Sequence, residues 1–287
     1  MNIIRLTRKH INTKKWDDCV NNSRSPLAYG QSAYLDIVCD GWEGLILNNY
    51  EGVMPIPKVY LKNLIKVIGQ PIFCQQLGVF ASREFQHNEM NAWLKAIPFS
   101  LFKYRLSFNF SNPPVGEERR NLILDLENPY DTISSKINKN TRRNIKKASI
   151  MGLNVRFDGN IDDFKKLHKR EVAPMDKALN KKAYIKLKEI YGEYTHRGEA
   201  FVAQVSDDEK LLSAILFLHV NNRLIYLAAA TLSDYKKSGI NHFLVNEVIQ
   251  KYAGTTTLLD FEGSMIPGVA RFFEGFGAVE QNYSLSI

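Results

Sequence analysis

The spacing of apolar residues divides the chain into two mixed stretches of helix and strand. In "HINTKKWDDCVNNS", Trp16 and Val20 stand four residues apart, which predicts a short helix with one buried face. "EGLILNN" and "GVMPIP" read as strands, and the Asn48–Gly52 stretch between them suits a tight turn, so a hairpin is expected. "IKVIGQPIF" reads as another strand. "FQHNEMNAWLKAIP" reads as a helix that turns Met90, Trp93, Leu94 and Ile97 inward. In "KYRLSFNF", Tyr104, Leu106, Phe108 and Phe110 alternate to one side, as in a half-buried strand.

Asn128, Pro129 and Asp131 break the following strand and start a helix. Ile133, Ile137, Ile145 and Ala148 then recur at near-helical spacing, so one amphipathic helix is expected up to Gly152, which can end it. Beyond Gly152 the pattern is clearer. "LNVRFDG" is a strand. "NIDDFKKLHKREVAPM" is a helix capped by Asn160 with Phe164 and Leu167 inside, and "KKAYIKLKEIYGEYTHRG" is a second helix. "EAFVAQVS", "KLLSAILFLHV" and "RLIYLAAAT" are strands whose short connections suit antiparallel pairing; His219 and Tyr226 on them read as core residues. A helix follows over "KSGINHFLVNEVIQKYAG", with Phe243, Leu244, Val248 and Ile249 inward. Then come a strand at "TTLLDFEG", a helix at "PGVARFFEGF" and a last strand at "AVEQNYSLSI". From residue 153 the predicted order is β-α-α-β-β-β-α-β-α-β.

The chain has 287 residues, 45% hydrophobic and 24% charged, enough for a large core in one large or two ordinary domains. Its net charge of +8 favours anionic partners: nucleic acid, a phosphorylated cofactor or an anionic membrane surface. That charge is concentrated in "SSKINKNTRRNIKKAS", where Lys136, Lys139, Arg142, Arg143, Lys146 and Lys147 stand with no acidic residue. The segment forgoes every i,i+4 salt bridge a structural surface helix would use, which favours a ligand-facing role. Cys19, Cys39 and Cys74 are scattered and odd in number, which argues against a disulfide framework and fits a reducing compartment. No His/Cys/Asp cluster has ligand spacing, so no metal is expected. The N-terminus lacks the apolar core of a signal peptide, and the longest apolar runs are too short to span a bilayer. The expectation is a soluble cytoplasmic protein without a membrane span.

The predicted order matches that of the GNAT acyltransferase fold. "INKNTRRNIKKASIMGLNV" resembles the K-x-R-x-x-I-x-K-A-x-x-x-G segment of FemABX-like acyltransferases, a superfamily that includes peptidoglycan aminoacyltransferases. "LDFEGSMIPGVARFFEGFGA" is similar to the superfamily's C-terminal signature, and "YEGVMPIP" and "GQPIFCQQLGVF" resemble its N-terminal half. The likeness covers about residues 15–280. It implies an α+β fold of two GNAT-like domains in tandem, with mixed, mostly antiparallel sheets flanked by helices. The expected divisions are a degenerate N-terminal domain over 1–132, a basic connecting helix over 133–151 and a C-terminal domain over 152–287.

The resemblance implies transfer of an acyl or aminoacyl group from a CoA-type donor, with acyl-CoA as the candidate donor substrate, or from an aminoacyl-tRNA, to an amine or hydroxyl of a small-molecule or peptide acceptor. Lys236-x-x-Gly239-x-Asn241 is a degenerate form of the family's donor loop. Lys236, Lys237, Ser238, Gly239 and Asn241 are therefore the expected donor-binding residues, although the same loop also fits a plain helix start. Glu262 and Asp260 are the candidate bases, expected on one side of a strand. Arg142, Arg143, Lys146, Gln75, Gln76 and Ser264 are candidate substrate contacts. Phe273 stands where peptidoglycan aminoacyltransferases carry a lysine, and the neighbouring Arg271 cannot serve as a base. An aminoacyl-tRNA-dependent peptidoglycan-precursor ligase, with tRNA as partner, is thereby disfavoured but stays open. So does a non-catalytic nucleic-acid-binding or scaffold protein.

Overall fold

The computed structural model describes residues 1–61, 64–98, 106–109, 117–208, 210–263 and 265–286. Tyr104 and Phe110, two of the residues expected to alternate along a strand, lie outside them. The chain divides into two compact units, Met1–Arg119 with Asn282–Ile287, and Arg120–Gln281.

In the first unit, β1 (Ile3–Thr7), β2 (Trp42–Leu47), β3 (Gly52–Leu61) and β4 (Ile65–Ile68) form a sheet in that order, and β5 (Phe80–Ala81) pairs with β3. The β2–β3 hairpin forms as expected, its turn using positive φ at Asn48 and Tyr50. Helix α1 (Thr13–Asn21) buries Trp16 and Val20, α2 (Ser32–Val38) follows it, and α3 (His87–Ala96) buries Trp93. Strands β6 (Leu106–Phe108) and β7 (Glu117–Arg119) flank the chain's last strand in a small separate sheet.

The second unit opens with β8 (Leu122–Asp125), α4 (Tyr130–Ser135) and α5 (Lys139–Ser149). It continues with β9 (Asn154–Arg156), α6 (Ile161–Glu171), α7 (Lys181–Thr195), β10 (Ala200–Asp207), β11 (Lys210–Val220) and β12 (Arg223–Thr231). Then follow α8 (Ile240–Tyr252), β13 (Leu258–Asp260), α9 (Pro267–Glu274) and β14 (Val279–Glu280). Its sheet runs β14-β8-β13-β12-β11-β10-β9, antiparallel except for the parallel β12–β13 pair. The Asn221–Asn222 turn between β11 and β12 takes left-handed φ at both residues, the geometry a two-residue hairpin wants. Asn160 caps α6 as expected, its Oδ1 accepting from Asp162 and Asp163 backbone N–H.

Three expectations change. The basic segment is two helices rather than one. Lys136–Asn138 separate α4 from α5 because Asn138 leaves the helix to cap α5, its Oδ1 accepting from Thr141 N at 2.8 Å. The expected last strand is also two. β14 pairs with β8 in the second unit, whereas β15 (Tyr283–Ser286) lies between β6 and β7 in the first. Finally, residues 120–132, read with the N-terminal domain, belong to the second unit. β8 pairs with β13, and Leu122, Leu124 and Ile133 are buried in one cluster with Leu259, Phe261 and Phe273.

Candidate functional site

The parallel pairing of β12 with β13 lasts only from Arg223↔Leu258 to Ile225↔Asp260. β13 then stops, because Glu262 and Gly263 both turn through positive φ. A Cβ on Gly263 would lie 2.2 Å from the Arg120 carbonyl oxygen, so this exit from the sheet requires glycine. β12 continues to Thr231. A register shift against β11 leaves Leu227 as an extra residue, a bulge of the kind that re-aims neighbouring side chains.

A cleft of about 400 Å³ opens along this part of β12. Tyr226, Ala229, Ala230 and Thr231 line it from the strand. Asn241 reaches it from the first turn of α8, with Lys236 on the preceding loop. Gly268, Val269, Phe272 and Phe273 close one side from α9; Glu171 at the end of α6, with Val172 and Met175 just beyond it, closes another. Most of this wall is apolar, so its few polar groups act in a poorly solvated setting.

Burial holds the Tyr226 phenol well above its usual pKa, an effect partly offset by the Asn241 side chain hydrogen-bonded to it. Tyr226 is therefore a neutral hydroxyl. Asn241 Oδ1 is buried and has no hydrogen-bond partner among the described residues. The Ser233 hydroxyl donates to Glu171 and holds its carboxyl below the usual range, with Arg170 and Lys236 adding to the effect. Burial pushes His242 down to about 4; its ring packs on Phe272 at 4.6 Å. His219, also lowered by burial, is a neutral ring packed on Tyr252.

Of the expected donor residues, the fold brings Lys236 and Asn241 into the cleft. Lys237, Ser238 and Gly239 do not line it. The Lys237 carbonyl accepts from Lys147 Nζ at 2.9 Å, and the Ser238 hydroxyl donates to the Tyr235 carbonyl at 2.7 Å. Gly239 does provide a close backbone approach, but to another helix. It is buried with φ +91°, and a Cβ there would lie 2.3 Å from the Asn144 carbonyl oxygen of α5.

The expected pair of carboxylates on one strand face does not form, because β13 ends at Asp260. Asp260 is fully buried and ion-paired to Arg223, and its Oδ1 accepts from the Glu262 backbone N–H at 2.9 Å. Glu262 is half-buried just beyond; neither residue lines the cleft. Arg142 donates to the Ser134 and Ser135 carbonyls, capping the C-terminal end of α4. Arg143 donates to Asn140 Oδ1, and Lys146 is exposed. Gln76 is buried in the first unit and donates to Gln75 Oε1 at 2.9 Å. Ser264 lies outside the described residues. Phe273 stacks on Phe261 at 4.6 Å and meets Tyr226 edge-on at 5.5 Å, so its side chain belongs to an aromatic cluster.

Tyr226 and Glu171 are polar groups of the cleft that carried no signal of it in the sequence. Tyr226 looked like sheet interior, and only the bulge and the early end of β13 expose it to a cavity. Glu171 carried no motif, and the fold alone sets it beside Lys236. Among the described residues no group of His, Cys, Asp or Glu side chains could hold a metal ion, and no helix is long and apolar enough to cross a membrane.

No family model matches this sequence, and no curated protein does. Solved structures do match it in fold. The crystal structure of FemX covers 99% of this chain and 97% of its own, at a TM-score of 0.65 and 13% identity. L-PGS from Bacillus licheniformis covers 96% and 91%, with a TM-score of 0.59 and 13% identity. A tandem GNAT protein from the clavulanic acid biosynthesis pathway covers 99% and 97%, with a TM-score of 0.52 and 9% identity. The fold is thus the FemABX/GNAT-like acyltransferase fold: α+β, two GNAT-like domains in tandem, with mixed, mostly antiparallel sheets flanked by helices.

Proposed function

We propose, for a chain with the FemABX/GNAT-like acyltransferase fold, that the cleft beside β12 carries an acyl or aminoacyl group from a thioester or ester donor to an amine or hydroxyl acceptor. The observation that carries this reading is the neutral Tyr226 hydroxyl, buried at the point where β12 runs on without β13. Acyl transfer passes through a tetrahedral intermediate whose oxygen becomes negative. A protonated hydroxyl fixed in an apolar wall stabilises that charge without reorganising solvent. Asn241 holds the phenol in place, and its unpartnered Oδ1 is an acceptor for an N–H of the bound substrate.

Lys236, on the loop leading into α8, would face donor phosphates, where a helix start also favours negative charge. Glu171, held ionised, would draw in a cationic amine. Glu262, just past the end of β13, does not line the cleft, so as the proposed base it would take the acceptor's proton through an intervening water. With Phe273 in the core, this reading does not route chemistry through a lysine at that position. Acyl-CoA is the first donor to test and an aminoacyl-tRNA the second.

The experiment compares thermal shifts with both donors, then measures transfer to a panel of amines. Tyr226→Phe should keep donor binding and lower kcat by roughly 100-fold. Glu262→Gln should do the same if it accepts the proton. A protein that binds neither donor, or a Tyr226→Phe variant with wild-type kcat, would overturn the reading.

A further inference from the structure

Helix α5 carries its cations on the face opposite its packing. Thr141 and Ala148 are buried, at 2% and 0% exposure. Half a turn around, Lys139, Arg143, Lys146 and Ile150 recur at i, i+4, i+7 and i+11, one straight ridge pointing away from the unit. Lys139, Arg143 and Lys146 are exposed, flanked by exposed Arg142 and Lys147. No acidic residue lies between Ser134 and Ser149. The contacts these cations make are to neutral groups: the Ser134, Ser135 and Lys237 carbonyls and the Asn140 side chain. Helix α6 manages its surface differently, with Lys165 and Lys166 paired to Asp162 and Asp163.

The ridge does not end in a polar residue. Ile150, at the C-cap of α5, is 79% exposed, and Met151 beside it is 41% exposed. An isolated exposed apolar residue needs no explanation. Two in succession, at the tip of an uncompensated cationic ridge, form the pairing that binds a bilayer interface: cations at the level of the phosphates, apolar side chains just below.

We propose that the outer face of α5 docks on an anionic lipid bilayer, with Ile150 and Met151 entering the headgroup boundary and Lys139, Arg143 and Lys146 resting on lipid phosphates. A single-stranded nucleic acid would use the same cations. It would gain most from aromatic side chains to stack on, and α5 has none; nor would it have a use for two exposed aliphatic side chains. The docking stands apart from the chemistry of the cleft.

The test is co-sedimentation of the full chain with phosphatidylcholine vesicles, with and without about one-third phosphatidylglycerol. Binding should require the anionic lipid and weaken with salt. Arg143→Gln and Lys146→Gln should each lower partitioning about fivefold, from the worth of one cation at such a surface. Ile150→Ser, which changes no charge at an exposed site, should lower it about tenfold. Equal sedimentation with the neutral vesicles, or full binding by Ile150→Ser, would overturn the proposal. So would tighter binding to single-stranded RNA that Ile150→Ser leaves unchanged.

Discussion

Asp260 and Arg223 show how burial decides what a charged residue can do. The carboxylate is fully buried, the guanidinium nearly so, and Gln281 Oε1 accepts from Arg223 Nη2 at 2.9 Å. Removing one partner leaves the other desolvated and uncompensated. Arg223→Met should therefore cost about 3–5 kcal/mol of stability, read as a shift in the urea midpoint. Arg223→Met with Asp260→Leu should recover much of that loss, since two apolar side chains replace the pair without an orphan charge. If the double variant is no more stable than the single one, the pair is not the reason Asp260 lies there. A "DFE" sequence could not announce this arrangement, because Arg223 lies 37 residues upstream and is brought over by strand pairing alone.

At the scale of elements, α5 and α8 pack so closely that one glycine is obligatory. Gly239→Ala would set a methyl against the Asn144 carbonyl and hold an L-residue at φ +91°. The expected cost is about 2–4 kcal/mol, seen as a lower Tm without any ligand. A glycine needed only for phosphate approach would leave Tm unchanged and weaken donor binding instead, so the two roles separate in one experiment. In the second unit most elements were legible from apolar spacing, and the Asn160 cap and the Asn221–Asn222 turn from residue type; in the first unit β1, α2, β5 and β7 were not. Nor was the cap at Asn138, because Ile133, Ile137 and Ile145 fit one continuous helix as well as two, and only the cap hydrogen bond to Thr141 distinguishes them.

On the scale of the molecule, one buried and one half-buried imidazole, His168 and His242, make the fold sensitive to acid. Burial pushes His168 and His242 down to about 4, from an ordinary value of 6.5, and the Tyr184 hydroxyl lies 2.8 Å from His168 Nδ1. The unfolded chain binds these protons near pH 6.5 and the folded one only near pH 4. Stability is therefore complete above pH 6.5 and is lost as pH falls towards 4. At pH 5 each histidine should cost about 1–2 kcal/mol. His168→Gln should shrink the difference between the unfolding free energies at pH 7 and pH 5, read from urea titrations, by about that amount. An unchanged difference would mean that His168 accepts its proton in the folded state. Both residues lie in the second unit, so the loss falls on that unit.

The sequence by itself determined the order of elements from residue 153 as far as α9, the inward faces of its helices, and the concentration of cations on one segment. These follow from periodicity and composition, which are local properties. It also carried enough short-range pattern to suggest the GNAT-like order that the solved structures share. Tertiary structure alone decided which unit β8 and β15 join, since strand partners are chosen by burial across long sequence separations. It also decided the chemistry of single residues. Tyr226 became a cleft hydroxyl because β13 ends early, Asp260 became half of a buried pair because Arg223 faces it, and Gly239 became a helix contact because α5 passes over it. In each case the residue's role is set by a neighbour distant in sequence, and spacing along the chain holds no record of that neighbour.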